Sequence, residues 1–180
     1  MRVLGVDPGT ALCGYGVVDM EGNRLRVVDY GHVATHKSTP PAERLLQVYE
    51  GVAAIIDRYR PEVLAVEELF MGRNVTTAIS VGQARGVVLL AGAQRGLEMA
   101  EYTPGQVKQA VAGYGKAEKA QVQQMVKVLL GLAEVPRPDD TADALAVACC
   151  CLQSIEVERR LKRLQEADRE GRPPAGRMAR

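Results

Sequence analysis

Residues 5–18, with the sequence GVDPGTALCGYGVV, decide how the fold begins, because they place one carboxylate between two apolar runs. Residues 3–7 and 14–20 are short and rich in strand-forming residues, and the Pro-Gly pair between them is typical of a turn. Asp7 therefore ends the first predicted strand. Asp-Pro-Gly is a good turn sequence, so this carboxylate is either a turn former or a functional group that a rigid strand holds in place.

The elements after this stretch predict an α/β fold. A third strand over residues 25–33 extends the meander, and a helix follows from Thr39 until just before Pro61. Three strands followed by alternating elements predict a mixed, five-stranded sheet with helices on its faces, in three layers. The later elements are strands at 63–67 and 98–102 and helices at 75–94, 104–112, 117–132 and from Asp140 onward.

Length and composition favour one domain with a charged tail. The chain has 180 residues, of which 47% are hydrophobic and 25% are charged, as in an ordinary globular protein. Beyond residue 157 the sequence is strongly charged and ends in EGRPPAGRMAR. We therefore expect a domain over residues 1–157 and a frayed or disordered tail over residues 158–180.

The lack of a recognisable targeting signal and the pattern of the cysteines favour a cytoplasmic protein. No apolar run in the sequence approaches the roughly 20 residues that span a bilayer, and the N-terminus lacks the pattern of a secretory signal. Three of the four cysteines are consecutive, at 149–151, and suit neither a spaced metal site nor a disulfide framework. We expect all four to be small buried residues.

The net charge of +1 hides an uneven distribution of charged residues. Residues 69–97 contain three arginines and no acid, and residues 102–133 contain four lysines and one glutamate. A basic surface beside an acidic centre would suit a polyanion, whereas solvated helix faces explain the same charges equally well.

Four carboxylates fall at the ends of predicted elements: Asp7, Glu67, Asp140 and Asp143. Each has a structural explanation as a turn residue, a strand end in solvent, a helix cap or a first-turn acid. Element ends are also where α/β sheets build their sites, and two residues three apart on a helix share one face. Converging carboxylates without His or Cys suit hard ions such as Mg²⁺ or Mn²⁺, and two such ions can drive in-line displacement at phosphorus. The pattern therefore favours metal-dependent phosphodiester cleavage.

Five stretches, in this order, resemble the RuvC family of Holliday-junction resolvases over nearly all of residues 2–152. They are GVDPGT with GYGVV, AVEELFMGRN, GQARGV, QVKQAVAGYGKAEKAQVQ and DDTADALAVA. The resemblance implies an RNase H-like fold, a homodimer, and paired symmetric nicking of four-way junction DNA in recombination and repair. It also implies dependence on Mg²⁺ or Mn²⁺, with two ions in each active site.

By the same resemblance, the catalytic and metal-binding acids are Asp7, Glu67, Asp140 and Asp143. Two neighbouring acids, Glu68 and Asp139, offer alternatives. Glu67 is preferred because the family's acid precedes its phenylalanine by three residues, as Glu67 precedes Phe70. Asp140 is preferred because the family spacing to the last acid is three.

The resemblance also indicates how DNA and a second subunit bind. Phe70, the only phenylalanine, is expected to stack on an unpaired base at the junction. The apolar helix at 75–94, with Gly82 and Gly86 four apart, would be buried in the monomer or join two subunits. RuvA and RuvB, which are branch-migration proteins, are further potential partners. Contacts to the DNA backbone are expected from Arg73, Asn74, Lys108, Lys116 and Lys119.

Two other functions start from the same residues. ATP-binding proteins of the actin and sugar-kinase type also use a strand-borne Asp followed by Gly-Thr. They need two such domains and a second glycine-rich phosphate loop, and this sequence is too short for both. The other alternative is a junction-binding protein without catalysis, which an intact set of four carboxylates argues against.

Overall fold

The computed structural model describes residues 1–69 and 75–171. Three residues predicted to bind DNA, Phe70, Arg73 and Asn74, lie outside these ranges, as do residues 172–180. In chain order the elements are β1 (Arg2–Asp7), β2 (Leu12–Glu21), β3 (Arg24–Ala34), α1 (Pro41–Tyr59), β4 (Val63–Glu67), α2 (Val75–Gln94), β5 (Glu98–Tyr102), α3 (Pro104–Ala112), α4 (Lys119–Leu130) and α5 (Asp139–Gly171).

One mixed sheet holds these strands in the order β3-β2-β1-β4-β5. The first three strands form the antiparallel meander expected from the sequence, with Asp7 opposite Gly14 across β1 and β2. β4 runs parallel to β1 on its other side, with Val6 paired to Val66, and β5 runs parallel to β4. The predicted mixed five-stranded sheet flanked by helices is confirmed.

Helices cover both faces of this sheet, because side chains alternate in direction along each strand. On one face, Leu4 and Leu64 pack with apolar side chains of α1 and α2. On the other face, Val3 and Val63 pack with α3, α4 and α5. The four cysteines are free and buried, as predicted: Cys13, Cys149, Cys150 and Cys151.

The first turns of α5 lie directly on the sheet because glycines face them. A Cβ on Gly5 would lie 2.2 Å from the carbonyl oxygen of Ala144, and a Cβ on Gly14 would lie 2.0 Å from the carbonyl oxygen of Asp140. Thr141, which is fully buried, donates its hydroxyl to the carbonyl of Gly31 at 3.1 Å. These contacts fix the start of α5 over β1 and β2.

α4 is shorter than the predicted helix at 117–132. The side chain of Gln121 accepts a hydrogen bond from the backbone N–H of Glu118 at 3.0 Å, which caps the helix at its start. Gly131 adopts the left-handed conformation, with φ of 62°, and ends the helix. Both signals are local, and they set the bounds that the apolar pattern alone leaves open.

α5 continues to Gly171, past residue 158, where we expected a frayed or disordered tail. Arg160 supports this extension through an ion pair with Glu156 at 3.0 Å and a hydrogen bond to Asn23 at 2.8 Å. The division into a domain and a tail at residue 157 stays a prediction. No helix within residues 1–69 or 75–171 is both long enough and apolar enough to cross a bilayer.

Candidate active site

The four candidate acids lie where two strands end and one helix begins. Asp7 is the last residue of β1, and Glu67 is the last residue of the adjacent parallel strand β4. Asp140 and Asp143 lie in the first two turns of α5, which packs closely on β1 and β2. All four side chains are partly buried. The fold therefore brings the predicted catalytic acids to one end of the sheet.

Burial and mutual repulsion raise the pKa of three of these carboxylates, Asp7, Glu67 and Asp143. Burial raises the pKa of Asp7 to about 7, and Asp143, Asp140 and Glu67 add to this increase. Burial, followed by Asp143, also raises the pKa of Glu67. Burial raises the pKa of Asp143 despite the opposing effect of Lys119. Buried like charges such as these favour either bound protons or neutralising cations.

Lys119, predicted to contact the DNA backbone, pairs with one of these acids. Its Nζ lies 2.8 Å from Oδ2 of Asp143 and 3.5 Å from Oδ2 of Asp139. More than half of the lysine side chain (56%) is still exposed, so the ammonium group remains accessible from solvent. The sequence placed Lys119 on a basic surface, whereas the structure places it within the acid cluster.

A cavity of about 210 Å³ joins acidic and basic groups at this position. Glu67 and Asp143 line it together with Lys108, from α3, and Lys119, from α4. Lys116 is exposed on the loop between these two helices. Lys108 and Lys119 therefore border the candidate site, whereas the predicted Phe70, Arg73 and Asn74 lie outside the described residues.

The donor set fits a hard divalent cation, because it consists of carboxylate oxygens alone. The raised pKa of Asp7 is consistent with this fit, since it reflects burial first and then the negative charge of Asp143, Asp140 and Glu67. Among residues 1–69 and 75–171, no group of three or more His, Cys, Asp and Glu side chains is arranged to hold an ion. One oxygen of Asp143 faces the ammonium group of Lys119 at 2.8 Å.

The two alternative acids have different surroundings from the preferred ones. Glu68 is exposed, whereas Glu67 is partly buried at the cavity. Asp139 pairs with Arg137 at 2.5 Å, and it is absent from the groups that raise the pKa of Asp7. Both observations favour Glu67 and Asp140 as members of the cluster.

A hydroxyl-rich cleft on α2 was not predicted from the sequence. A cavity of about 400 Å³ is lined by the turn after β1, by the first turns of α2 and by Asp140. Across it, Oγ1 of Thr10 lies 2.8 Å from Oγ of Ser80. Thr35 donates its hydroxyl to the carbonyl of Thr10 at 2.5 Å, and Arg44 donates to Thr35. Thr10 belongs to the quoted opening stretch, but no sequence signal links it to a residue 70 positions away.

Known proteins are similar to this chain over most of its length. Residues 3–151 match the family model described as crossover junction endodeoxyribonuclease RuvC. A protein of that name from Heliobacterium modesticaldum is 61% identical over 155 residues, which cover 86% of this chain and 96% of that protein.

Solved structures resemble the fold at two levels of identity. Thermus thermophilus RuvC in complex with a Holliday junction substrate matches with a TM-score of 0.79 and 43% identity, covering 83% of this chain and 92% of that one. The yeast mitochondrial Holliday junction resolvase Ydc2 matches with a TM-score of 0.61 and 13% identity, covering 83% of this chain and 76% of that one. The second match supports the fold alone. Together they confirm the RNase H-like fold that the sequence resemblance implies.

Proposed function

This chain belongs to the RuvC family of crossover junction endodeoxyribonucleases, and we propose that it resolves four-way DNA junctions by hydrolysing one phosphodiester bond in each of two symmetry-related strands. The observation that carries this proposal is the placement of Glu67, Asp143, Lys108 and Lys119 around one cavity, beside the buried Asp7. Such a site combines ligands for divalent cations with positive charge for a phosphate. Its biological setting would be recombination and DNA repair.

The four acids, Asp7, Glu67, Asp140 and Asp143, would hold Mg²⁺ or Mn²⁺, with two ions per site. Bound ions supply Lewis-acid stabilisation of charge on the phosphate oxygens and a nucleophilic water. The protein itself contributes rigidity, since β1, β4 and α5 fix the carboxylates before substrate binds. Preorganised groups of this kind stabilise developing charge at little reorganisation cost.

The lysines beside the acids would orient the DNA backbone. Lys108 and Lys119 reach the cavity, and Lys116 extends the positive charge along the loop that joins α3 to α4. Contacts of this type position a phosphate and make affinity fall as salt concentration rises. Base stacking by Phe70 and backbone contacts by Arg73 and Asn74 belong to the same proposal.

Two symmetric nicks require two active sites, and α2 is the surface that we propose for a homodimer. Ile79 and Leu90 on this helix are 59% and 49% exposed, so both offer apolar surface to a second subunit. A Cβ on Gly86 would meet no described atom within 4 Å, so another helix could approach there. Binding to RuvA and RuvB and a cytoplasmic location complete the proposal.

The decisive experiment compares a labelled synthetic four-way junction with a linear duplex of the same sequence, in Mg²⁺ or Mn²⁺. Paired nicks confined to the junction are expected from the wild-type protein and not from Asp7→Asn. Glu68→Gln is the matched control, since it removes an exposed neighbouring carboxylate and should leave cleavage intact. Tight junction binding without metal-dependent cutting by the wild-type protein would instead indicate a binding protein without catalysis.

A further inference from the structure

Lys119 stands between two carboxylates of α5 that have different roles. Its Nζ is 2.8 Å from Asp143, a proposed metal ligand, and 3.5 Å from Asp139, which lies one residue before the proposed ligand Asp140. Asp139 is held on its other oxygen by Arg137, whose Nη1 lies 2.5 Å from Oδ1. One oxygen of Asp139 therefore faces Arg137, and the other faces Lys119.

Both oxygens of Asp139 face cations of the protein. Burial, Asp143, Asp140 and Glu67 raise the pKa of Asp7, whereas Asp139 adds to the raised pKa of Asp143, the acid on the other side of Lys119. The side chain of Asp139 is 43% exposed, against 28% for Asp143. Its geometry thus suits a partner for Lys119 better than a member of the cluster.

The Lys119–Asp143 pair conflicts with the proposed use of Asp143. Oδ2 of Asp143 already accepts from the ammonium group of Lys119, and that positive charge would repel a divalent ion bound beside it. Lys119 must therefore leave Oδ2 when this oxygen becomes a metal ligand. Asp139 is a second carboxylate within reach of Lys119, since its Oδ2 lies 3.5 Å from the same Nζ.

We propose that Asp139 is a positioning residue that receives Lys119 when Asp143 becomes a metal ligand, and that it thereby keeps this ammonium group beside the scissile phosphate. The inference rests on the proposed function, because it assigns Asp143 to a divalent ion. Arg137 fixes the receiving carboxylate, so that Lys119 shifts between two acids of one helix without leaving the cavity. The exposed lysine stem allows this movement.

The test measures Mn²⁺ affinity by titration calorimetry, without DNA, in a double-mutant cycle of Asp139→Asn and Lys119→Met. Asn has nearly the same size as Asp, so the fold should survive, and thermal melting checks this. In the wild-type background Asp139→Asn should weaken Mn²⁺ binding roughly tenfold, as the loss of outer-shell partners does at metal sites. In the Lys119→Met background the same substitution should change affinity by no more than about twofold.

An equal loss of Mn²⁺ affinity in both backgrounds would overturn the proposal, because Asp139 would then act on the ion directly. Unchanged affinity of Asp139→Asn in the wild-type background would overturn it as well. Asp139→Glu, which keeps the carboxylate, should restore affinity to within about twofold, and Glu68→Gln, the matched control, should stay within the same range.

Junction-cleavage kinetics provide a second measurement on the same set of variants. Asp139→Asn should lower kcat for junction cleavage more than it raises KM, since Lys119 would be misplaced at the phosphate and not removed from it. A wild-type protein that neither binds Mn²⁺ nor cuts junctions would refute the proposed function itself. A wild-type protein that does both, beside an Asp139→Asn variant with unchanged affinity and kcat, would refute the positioning role alone.

Discussion

Gly14 in β2 lies so close to the backbone of Asp140 that a Cβ on the glycine would be 2.0 Å from the Asp140 carbonyl oxygen. Only a residue without a side chain lets the start of α5 rest on the strand next to β1. The Gly-Tyr-Gly sequence that follows the Asp-Pro-Gly turn therefore serves the candidate site, because it sets the distance between Asp140 and Asp7. A helix held one side chain farther from the sheet would separate these acids.

Gly14→Ala is expected to displace the start of α5 and to impair cleavage more than folding. Forcing a methyl group into such a contact typically costs about 1–3 kcal/mol of unfolding free energy. A shift of about 1 Å in a catalytic group can lower the rate roughly 100-fold. Junction cleavage and urea denaturation of the same preparation measure both effects. Gly105→Ala is the control, since a Cβ on Gly105 would lie 3.9 Å from Thr103 Oγ1, an ordinary contact, and both properties should change little.

The pKa of Asp7 predicts a pH-dependent stability that Asp7→Asn should remove. The pKa is about 7 in the fold against an ordinary value of 3.8, so the folded protein binds the proton more tightly than the unfolded chain does. The contribution of Asp7 to unfolding free energy therefore falls as pH rises from about 4 to about 7. Without metal, Asp7→Asn should be more stable than wild type at pH 8 by about 1–3 kcal/mol and nearly equal to it at pH 4.

Urea denaturation in EDTA at pH 4, 6 and 8 checks this expectation. Asp57→Asn is a useful control, because Arg95 lowers the pKa of that exposed carboxylate through a hydrogen bond and an ion pair. Its removal should give no gain in stability at pH 8. A variant Asp7→Asn that is less stable than wild type at pH 8 would contradict the assigned electrostatics.

The Thr10–Ser80 contact should couple the turn after Asp7 to α2. Ser80→Ala removes one hydroxyl of the 2.8 Å pair and should cost about 0.5–1.5 kcal/mol of unfolding free energy. Thr10→Val should cost a similar amount, and the double variant should cost less than the sum of both. Urea denaturation of the four proteins measures the coupling, with Thr10→Ser as the variant that keeps the hydroxyl. Strictly additive losses would mean that the two hydroxyls do not support each other.

The sequence predicts β4, β5, α2 and α3 with their observed bounds, because turn residues and apolar periodicity agree at those elements. The sequence predicts helix ends less well where a single capping residue sets the end, as Gly131 does for α4. The four candidate acids were found because they stand at element ends, which sequence patterns locate well.

Contacts between side chains of distant elements could not be predicted from the sequence. Nothing in the pattern of α4 indicates that Lys119 meets Asp143, because that pair depends on how α4 packs against α5. The same holds for Thr10 and Ser80, which the crossing of the β1 turn and α2 brings together. Lys119 was expected to contact DNA from the local charge pattern and the family resemblance, and only the packing places it among the acids.

The exposed face of α2 should carry the subunit contact, and Ile79 is the residue on which to test it. Its side chain is 59% exposed on a helix whose Gly86 leaves room for a second backbone. Ile79→Glu would place a charge in an apolar interface, which at a well-packed centre costs at least about 2 kcal/mol of binding free energy. Sedimentation velocity should then show a shift from dimer toward monomer at micromolar concentration.

Val128→Glu is the matched control for this substitution, since Val128 is 68% exposed on α4 and lies outside the proposed interface. It should leave the sedimentation profile unchanged. If Ile79→Glu produces monomers, paired nicking should fall with it, because the proposed mechanism needs two active sites, one from each subunit, at one junction. A variant that remains dimeric and nicks both strands would place the subunit contact on another surface, and a wild-type protein that sediments as a monomer would remove the basis for symmetric cleavage.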